Sequence, residues 1–177
     1  MTTIAEKCAA HGRTYIAQGE YAISGQEDAV ISTLLGSCVA TCLWDPVARI
    51  GGMNHFLLPE GPPSGTVVSS FGANAMELLI NALARSGAAR GRLRAKVFGG
   101  AEMYKGLTSA GSRNGLFVLS YLFREGIPCD GQSLGGYHAR RVEFVPAEGR
   151  ARQKFVSDAR VVETLPVPAK TPDVEFF

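Results

Sequence analysis

The segment that most restricts the fold is the run VATCLW at positions 39–44, because apolar side chains occupy both of its alternating faces. A strand that is apolar on both faces has to be covered by packed layers on both sides. A second run, IGGMNHFLL at positions 50–58, follows the dipeptide Asp45-Pro46, which favours a type I turn. The sequence therefore predicts a β-hairpin inside a layered fold.

Two later segments have the residue spacing of helices. Apolar residues recur at helical spacing over 70–86, and Gly87 provides a stop signal. The second predicted helix covers 115–125, with Ser112 and Asn114 as candidate caps.

Short apolar runs predict further strands over 94–98, 127–130 and 141–145. Strands mixed with two clear helices favour an α+β fold, here a single-domain α/β sandwich with a mixed, largely antiparallel sheet. The glycine-rich signatures of nucleotide-binding folds, GxGxxG after a first strand and GxxxxGK followed by Ser or Thr, do not occur. A nucleotide-binding fold is therefore not expected.

Composition bounds the class of function. The chain of 177 residues has a formal net charge of +2, which fits one soluble domain and argues against nucleic-acid binding. Without an apolar run of roughly 18 residues or a leader-like start, we expect a cytoplasmic protein that does not insert into membranes. The domain is predicted over 1–162, and the proline-rich residues 163–177 are predicted to form a mobile tail.

The predicted hairpin brings one cysteine and one histidine together. If Trp44 lies opposite Arg49 across the turn, Cys38 lies opposite His55. Directly opposed residues of an antiparallel pair share one face of the sheet, with Cβ atoms about 4.5 to 5.5 Å apart. A slip of one residue would move one side chain to the other face, so the prediction depends on this register.

A thiol beside an imidazole is typical of acyl-transfer enzymes, in which the sulfur attacks and the imidazole moves the proton. We expect a histidine cation to hold the sulfur as thiolate, because a free thiol titrates near about pH 8.5. The turn at Gly36 and Ser37 is expected to direct backbone N–H groups toward an oxyanion. Ser32 and Thr33, just upstream, are the nearest hydroxyls that could orient the imidazole.

Two other interpretations of these residues remain open. Cys38 and Cys42 are also typical of small apolar core residues, and His55 of a hydrogen-bonded core histidine. A metal site is the second alternative, because Cys8 and His11 have ligand-like spacing and the other three residues are possible donors. Structural zinc sites usually bring two close ligand pairs, whereas this sequence has one, so we expect no metal and no cofactor.

Four blocks of the sequence together resemble the CheD family of bacterial chemotaxis proteins, the chemoreceptor glutamine deamidases. They lie within residues 15–155 and read LLGSCVATCLWDPVARIGGMNHFLLP, KVFGGAEM, GSRNGLFVLSYLFREGIP and SLGGYHARRVEF. The resemblance implies a sandwich related to the deamidating bacterial toxins and hydrolysis of receptor Gln side chains to Glu. It places the nucleophile on Cys38 and the base on His55.

The resemblance also implies a third catalytic residue, a Thr six positions before the Cys, where this chain has Ser32 followed by Thr33. Serine keeps the hydroxyl, so Ser32 is the expected orienting residue. Residues of the four blocks form the expected substrate-binding set: Gly36, Ser37, Asn54, Phe98, Gly99, Gly100, Arg113 and Asn114.

The expected function is therefore deamidation of selected Gln side chains of methyl-accepting chemotaxis receptors, through a Cys thioester and by a monomer. The alternative is a catalytically weak binding module that regulates receptors or a CheC-type phosphatase. The resemblance implies that phosphatase as a second possible partner.

Overall fold

The computed structural model describes residues 4–8, 11–59, 66–103 and 110–157. Within these ranges the chain forms two α-helices, α1 (Thr66–Arg85) and α2 (Ala110–Arg124), together with ten strands. The strands are β1 (Ala5–Cys8), β2 (Arg13–Tyr15), β3 (Glu20–Ser24), β4 (Val30–Leu35), β5 (Val39–Asp45), β6 (Ile50–Phe56), β7 (Arg94–Gly99), β8 (Cys129–Leu134), β9 (Ala139–Val145) and β10 (Arg150–Val156). The predicted boundary after residue 162 and the predicted tail over 163–177 lie outside the described residues.

The described strands form two sheets. One has six strands in the order β1-β3-β6-β5-β7-β8, and the other has four in the order β10-β9-β4-β2. The pairs β1 with β3, β2 with β4 and β7 with β8 are parallel, and the remaining pairs are antiparallel. The sheets are therefore mixed and largely antiparallel, as the sequence predicted.

One apolar core joins the helices to the six-stranded sheet. It contains Met76 and Leu79 of α1, Val118 of α2, and Val39 and Leu43 of β5. By length and composition α1 is apolar enough to cross a membrane, contrary to the expectation that the chain has no apolar run of that length. In the fold one face of α1 packs against protein, as in the core helix of a globular domain.

A second apolar core lies between the two sheets. It joins Ala40 and Cys42, on the other face of β5, to Ile31 and Leu35 of β4 and Phe144 of β9. Every residue of β5 is buried, so this strand has a packed layer on each side, as VATCLW predicted. The order helices, six-stranded sheet, four-stranded sheet confirms the predicted α+β sandwich.

Several element bounds differ from the prediction. Both helices begin earlier, at Thr66 and Ala110, so Ser112 and Asn114 lie inside α2 instead of capping it. The prediction also lacked β1, β2, β3, β4 and β10. The last of these, RARQKFV, lies at a sheet edge with exposed or half-buried residues, so it has no apolar alternation to indicate it.

The hairpin of β5 and β6 has a longer turn than predicted. Trp44 lies opposite Gly51 instead of Arg49, which displaces the register by two residues. Arg49 belongs to the turn, where its backbone is left-handed with φ of 56°. Because side chains alternate with a period of two, the displacement leaves each residue on its predicted face.

Asp45 fixes this turn from the buried end of β5. Its Oδ1 accepts the backbone N–H groups of Val47 and Ala48 at 2.9 and 3.0 Å, and its Oδ2 accepts that of Ala89 at 2.8 Å. Arg92 pairs with the same carboxylate at 2.8 Å. Burial alone would raise the pKa of Asp45, but the hydrogen bonds outweigh it and hold the pKa below its ordinary value. The hairpin that carries His55 is thereby anchored at its turn.

Candidate active site

His55 lies in β6 with its ring in the space between the two sheets. It stands opposite Ala40 of β5, and it is 5% exposed. Met53 and Leu57, two positions to either side, belong to the core between the sheets. Side-chain alternation therefore places His55 on the face that looks toward the four-stranded sheet.

Thr33 of β4 reaches the ring of His55 from the opposing sheet. The Thr33 hydroxyl oxygen lies 2.8 Å from His55 Nδ1, and the hydroxyl donates to the Ile16 carbonyl at 2.7 Å. A carbonyl can only accept, so the single hydroxyl proton is committed to Ile16 and the oxygen accepts from Nδ1–H. These contacts assign the tautomer that carries its proton on Nδ1 and its lone pair on Nε2.

The Nε2 atom of His55 is buried and makes no hydrogen bond to any described residue. Burial away from water lowers the pKa of His55 to about 4, against smaller opposing effects of the Ile16 carbonyl and the Glu20 carboxylate. The imidazole is therefore neutral at pH 7, with Nε2 as a proton acceptor. This corrects the expectation of a histidine cation that holds the sulfur as thiolate.

Cys38 occupies the turn between β4 and β5 and is 1% exposed. Its carbonyl accepts the backbone N–H of Gly100 at 2.8 Å, and the Gly36 carbonyl accepts that of Ala101 at 2.9 Å. The Cys38 thiol donates to Oε1 of Gln18 at 3.7 Å. The backbone on both sides of the sulfur is thus fixed by the residues that follow β7.

Cys38 and His55 share one face of the six-stranded sheet. Ala40, opposite His55, comes two residues after Cys38, and both Ala40 and Cys38 belong to the core between the sheets. Diagonal neighbours of this kind lie within reach of an aromatic side chain. The two residues therefore lie on the predicted common face, although they are not directly opposed.

Gly99 allows β7 to approach the turn of Cys38 closely. It has φ of 116°, and a Cβ at this position would lie 2.2 Å from the Cys38 carbonyl oxygen. Gly100, with φ of 65°, follows as the donor to that carbonyl. Phe98 is 8% exposed and stands opposite Ala40. These three predicted substrate-binding residues border Cys38, and the two glycines support its backbone.

The expected orienting residue, Ser32, does not meet His55. Successive residues of a strand point to opposite faces, and in β4 the face with Thr33 looks into the core. The Ser32 hydroxyl instead contacts the Thr14 carbonyl at 3.5 Å. By geometry the orienting position belongs to Thr33, the second hydroxyl that the sequence offered.

Asn54 lies on the helix-facing side of β6, away from His55. It is 1% exposed. Its Oδ1 accepts the backbone N–H of Thr41 at 2.9 Å, and its Nδ2 donates to the Ala75 carbonyl at 3.2 Å. These contacts correct the prediction that Asn54 binds substrate, because both ends of its amide are used inside the core.

Asn114 of α2 is completely buried and connects two segments of the site. Its Nδ2 donates to the Ser37 carbonyl at 2.8 Å, and its Oδ1 accepts the backbone N–H of Leu58 at 3.0 Å. It therefore links the turn before Cys38 to the chain after β6 and supports the site from the helix layer. The neighbouring Arg113 donates to the Pro59 carbonyl at 3.1 Å.

Cys38, in the turn before β5, and Cys42, in β5, have different surroundings. Cys42 is 0% exposed, and burial raises the pKa of its thiol, as expected for a core cysteine. Cys38, in contrast, lies beside the half-buried, polar side chain of Gln18. Within the described ranges no three His, Cys, Asp or Glu side chains are grouped as metal ligands.

The sequence did not indicate the position of Gln18 near Cys38. It lies in the turn between β2 and β3, and no motif or spacing connects that turn to the nucleophile. Contact between the two arises only when β3 pairs with β6.

The sequence is similar to proteins of bacterial chemotaxis. A family model described as CheD chemotactic sensory transduction matches residues 57–155. A protein of Agrobacterium fabrum named probable chemoreceptor glutamine deamidase CheD is 49% identical, over 96% of this chain and 98% of its own length. The protein of that name from Zymomonas mobilis is 48% identical, over 93% of this chain and 92% of its own length.

Among solved structures, the Bacillus licheniformis hypothetical protein YfiH aligns with a TM-score of 0.42 and 12% identity, over 71% of this chain and 62% of that chain.

A neutral imidazole predicts how Cys38 reacts with iodoacetamide as the pH changes. The alkylation rate should rise steadily from about pH 5 to about pH 9, because the thiol ionises without the help of a histidine cation. Peptide mass spectrometry separates Cys38 from the buried Cys42 and the exposed Cys129. A fast rate that is independent of pH across this range would indicate a thiolate–imidazolium pair and contradict the neutral assignment.

Gly99→Ala should lower the free energy of unfolding by more than about 3 kcal/mol, because backbone strain adds to overlap with the Cys38 carbonyl. Gly126→Ala is the matched control. Gly126 also has a positive φ, 66°, but a Cβ there meets nothing within 4 Å, so strain alone should cost about 1 to 2 kcal/mol. Urea unfolding compares the two, and equal losses would show that the close approach of Gly99 is not required.

Proposed function

The chain belongs to the CheD family of chemotaxis proteins, and on this premise we propose that it deamidates glutamine side chains of chemoreceptors. Its relatives carry the name probable chemoreceptor glutamine deamidase. The observation that carries the proposal is the Nε2 lone pair of His55, buried on the sheet face that also holds Cys38. A nucleophile and a base so placed suit hydrolysis of a carboxamide.

Three side chains have assigned roles in this proposal. Cys38 is the nucleophile and His55 is the base. Thr33 is a positioning residue, which takes the place expected for Ser32 because its hydroxyl accepts from Nδ1–H of His55. The reaction needs no metal and no organic cofactor, since the imidazole moves every proton that is transferred.

The first half of the reaction forms a thioester. His55 Nε2 takes the thiol proton of Cys38 while the sulfur attacks the side-chain carbonyl carbon of the receptor glutamine. The carbonyl oxygen becomes an oxyanion, and backbone N–H groups around the Cys38 turn stabilise it. His55 then gives its proton to the amide nitrogen, the C–N bond breaks, and ammonia leaves.

The second half of the reaction consumes water. His55 Nε2 takes a proton from water as the oxygen attacks the thioester carbon, and a second oxyanion forms. When this collapses, the C–S bond breaks and the proton on His55 returns to the sulfur of Cys38. The receptor side chain leaves as Glu, and the enzyme regains its thiol and neutral imidazole.

Burial keeps the base unprotonated before the reaction begins. Because burial lowers the pKa of His55 to about 4, the imidazole is free to accept a proton at cytoplasmic pH. The imidazolium formed during attack is a strong acid in the same buried site, so it readily protonates the poor leaving group, an amide nitrogen.

The substrate glutamine enters beside the residues that border Cys38. Of the expected substrate-binding set, Gly36, Ser37, Phe98, Gly99 and Gly100 keep this position, and Ser37 is half-buried. Asn54 and Asn114 are internal. We expect the receptor's cytoplasmic part to be the partner and the protein to act in the cytoplasm as a monomer. A CheC-type phosphatase is a further proposed partner.

The test is incubation with a purified cytoplasmic fragment of a chemoreceptor, followed by mass spectrometry of each Gln-to-Glu conversion. Cys38→Ala and His55→Gln should abolish conversion. Thr33→Val should lower the rate about 10- to 100-fold, because the ring loses the acceptor that fixes its tautomer. Ser32→Ala is the matched control on the same strand and should keep the wild-type rate.

Conversion by Cys38→Ala would contradict the mechanism. Loss of activity in Ser32→Ala with full activity in Thr33→Val would restore the role first expected for Ser32. Binding of the fragment without any conversion would favour the binding module over the enzyme.

A further inference from the structure

A carboxamide side chain of the protein itself lies at the nucleophile. Oε1 of Gln18 is 3.7 Å from Sγ of Cys38 and accepts the thiol proton. Gln18 is half-buried, so part of its side chain is open to solvent beside the nucleophile. The proposed reaction, as described for Cys38, His55 and Thr33, does not use this group.

The backbone holds Gln18 in this position by way of His55. Gly19 donates its N–H to the carbonyl of His55 at 2.8 Å, and Glu20 donates its N–H to the carbonyl of Ala17 at 3.1 Å. The Glu20 carboxylate accepts the backbone N–H of Ala17 at 2.8 Å. These hydrogen bonds close the turn and attach it to β6 at His55, the residue proposed as the base.

We propose that Gln18 is a further catalytic residue, whose Nε2–H group donates to the oxyanion formed on the substrate glutamine. This inference rests on the proposed deamidase function and names one more group of the same site. Hydrogen-bond donors beside the reacting carbon stabilise the negative charge that develops there. The fastened turn holds the backbone of Gln18 near Cys38, and only the terminal amide has to turn for Nε2–H to face the charge.

During the reaction Gln18 changes from a hydrogen-bond acceptor to a hydrogen-bond donor. In the resting enzyme the thiol is the donor and Oε1 is the acceptor. Once His55 has taken the thiol proton, the sulfur can no longer donate a hydrogen bond to Oε1 of Gln18. Rotation about the terminal bond of Gln18, which has only a shallow torsional preference, then presents the two protons of Nε2 to the new negative charge.

Two measurements on each variant test the proposal. The first is the rate of Gln-to-Glu conversion on the receptor fragment, resolved into kcat and KM. The second is the alkylation rate of Cys38 with iodoacetamide, a displacement reaction that forms no oxyanion. The second therefore reports whether the sulfur of Cys38 remains accessible and reactive, independently of oxyanion stabilisation.

Gln18→Ala and Gln18→Glu both remove the N–H donor, and Gln18→Glu keeps nearly the same size. Each should lower kcat about 100-fold or more and change KM little. Gln18→Ala should leave alkylation within about threefold of the wild type, whereas the carboxylate of Gln18→Glu should slow alkylation because it opposes ionisation of the neighbouring thiol. Gln26→Ala, at an exposed position in the loop between β3 and β4, is the matched control and should behave as the wild type.

Three outcomes overturn the inference. An unchanged kcat in both Gln18 variants would show that the donor is not used. Equal losses of kcat and alkylation in Gln18→Ala would show that Gln18 only supports the local structure. Conversion of Gln18 itself to Glu in the wild-type protein, dependent on Cys38, would show that it is an internal substrate. If the wild-type protein converts no receptor glutamine, the proposed function fails and the role of Gln18, which rests on it, fails with it; an unchanged kcat in the Gln18 variants overturns the role of Gln18 alone.

Discussion

The hydrogen bond between Thr33 and His55 is the interaction on which the proposed site depends. It crosses from the four-stranded sheet to the six-stranded sheet and joins two side chains that lie 22 residues apart. The Ile16 carbonyl takes the Thr33 hydroxyl proton, which leaves the hydroxyl oxygen only the role of acceptor. The tautomer of the base is thus set by a backbone carbonyl, through a threonine, across the apolar core. Neither sheet alone carries this arrangement.

The backbone around the nucleophile, Cys38, is fixed by the end of β7 and by α2. Gly100 holds the carbonyl of Cys38 from the end of β7, and Asn114 holds the preceding carbonyl, that of Ser37, from α2. The helix layer fixes the Ser37 carbonyl, the end of β7 in the six-stranded sheet fixes the Cys38 carbonyl, and the four-stranded sheet fixes the His55 ring through Thr33. Packing of the three layers therefore does more than exclude water, because it brings thiol and imidazole to one buried face.

The sequence predicted the pair Cys38 and His55 but not its surroundings, for identifiable reasons. The register error in the hairpin was two residues, and a period of two leaves faces unchanged. The choice between Ser32 and Thr33 depended on which face of β4 looks inward, and neither its partner strands β2 and β9 nor their register can be read from local pattern. Asn114 lies inside α2 instead of capping it, because α2 starts earlier than its apolar spacing indicates. Gln18 lies in a turn whose neighbours are determined only by tertiary contacts.

The most direct test of this account is ¹⁵N NMR of the His55 ring in the resting protein, with His55→Gln used to identify its signals. The account predicts a neutral ring at pH 7, protonated on Nδ1 and bare on Nε2, that gains its second proton only near the pKa of about 4. It also predicts that Thr33→Val loses this preference for one tautomer while Ser32→Ala keeps it. A ring protonated on Nε2, or a cation at pH 7, would contradict the assignment of His55 as a base held ready for Cys38.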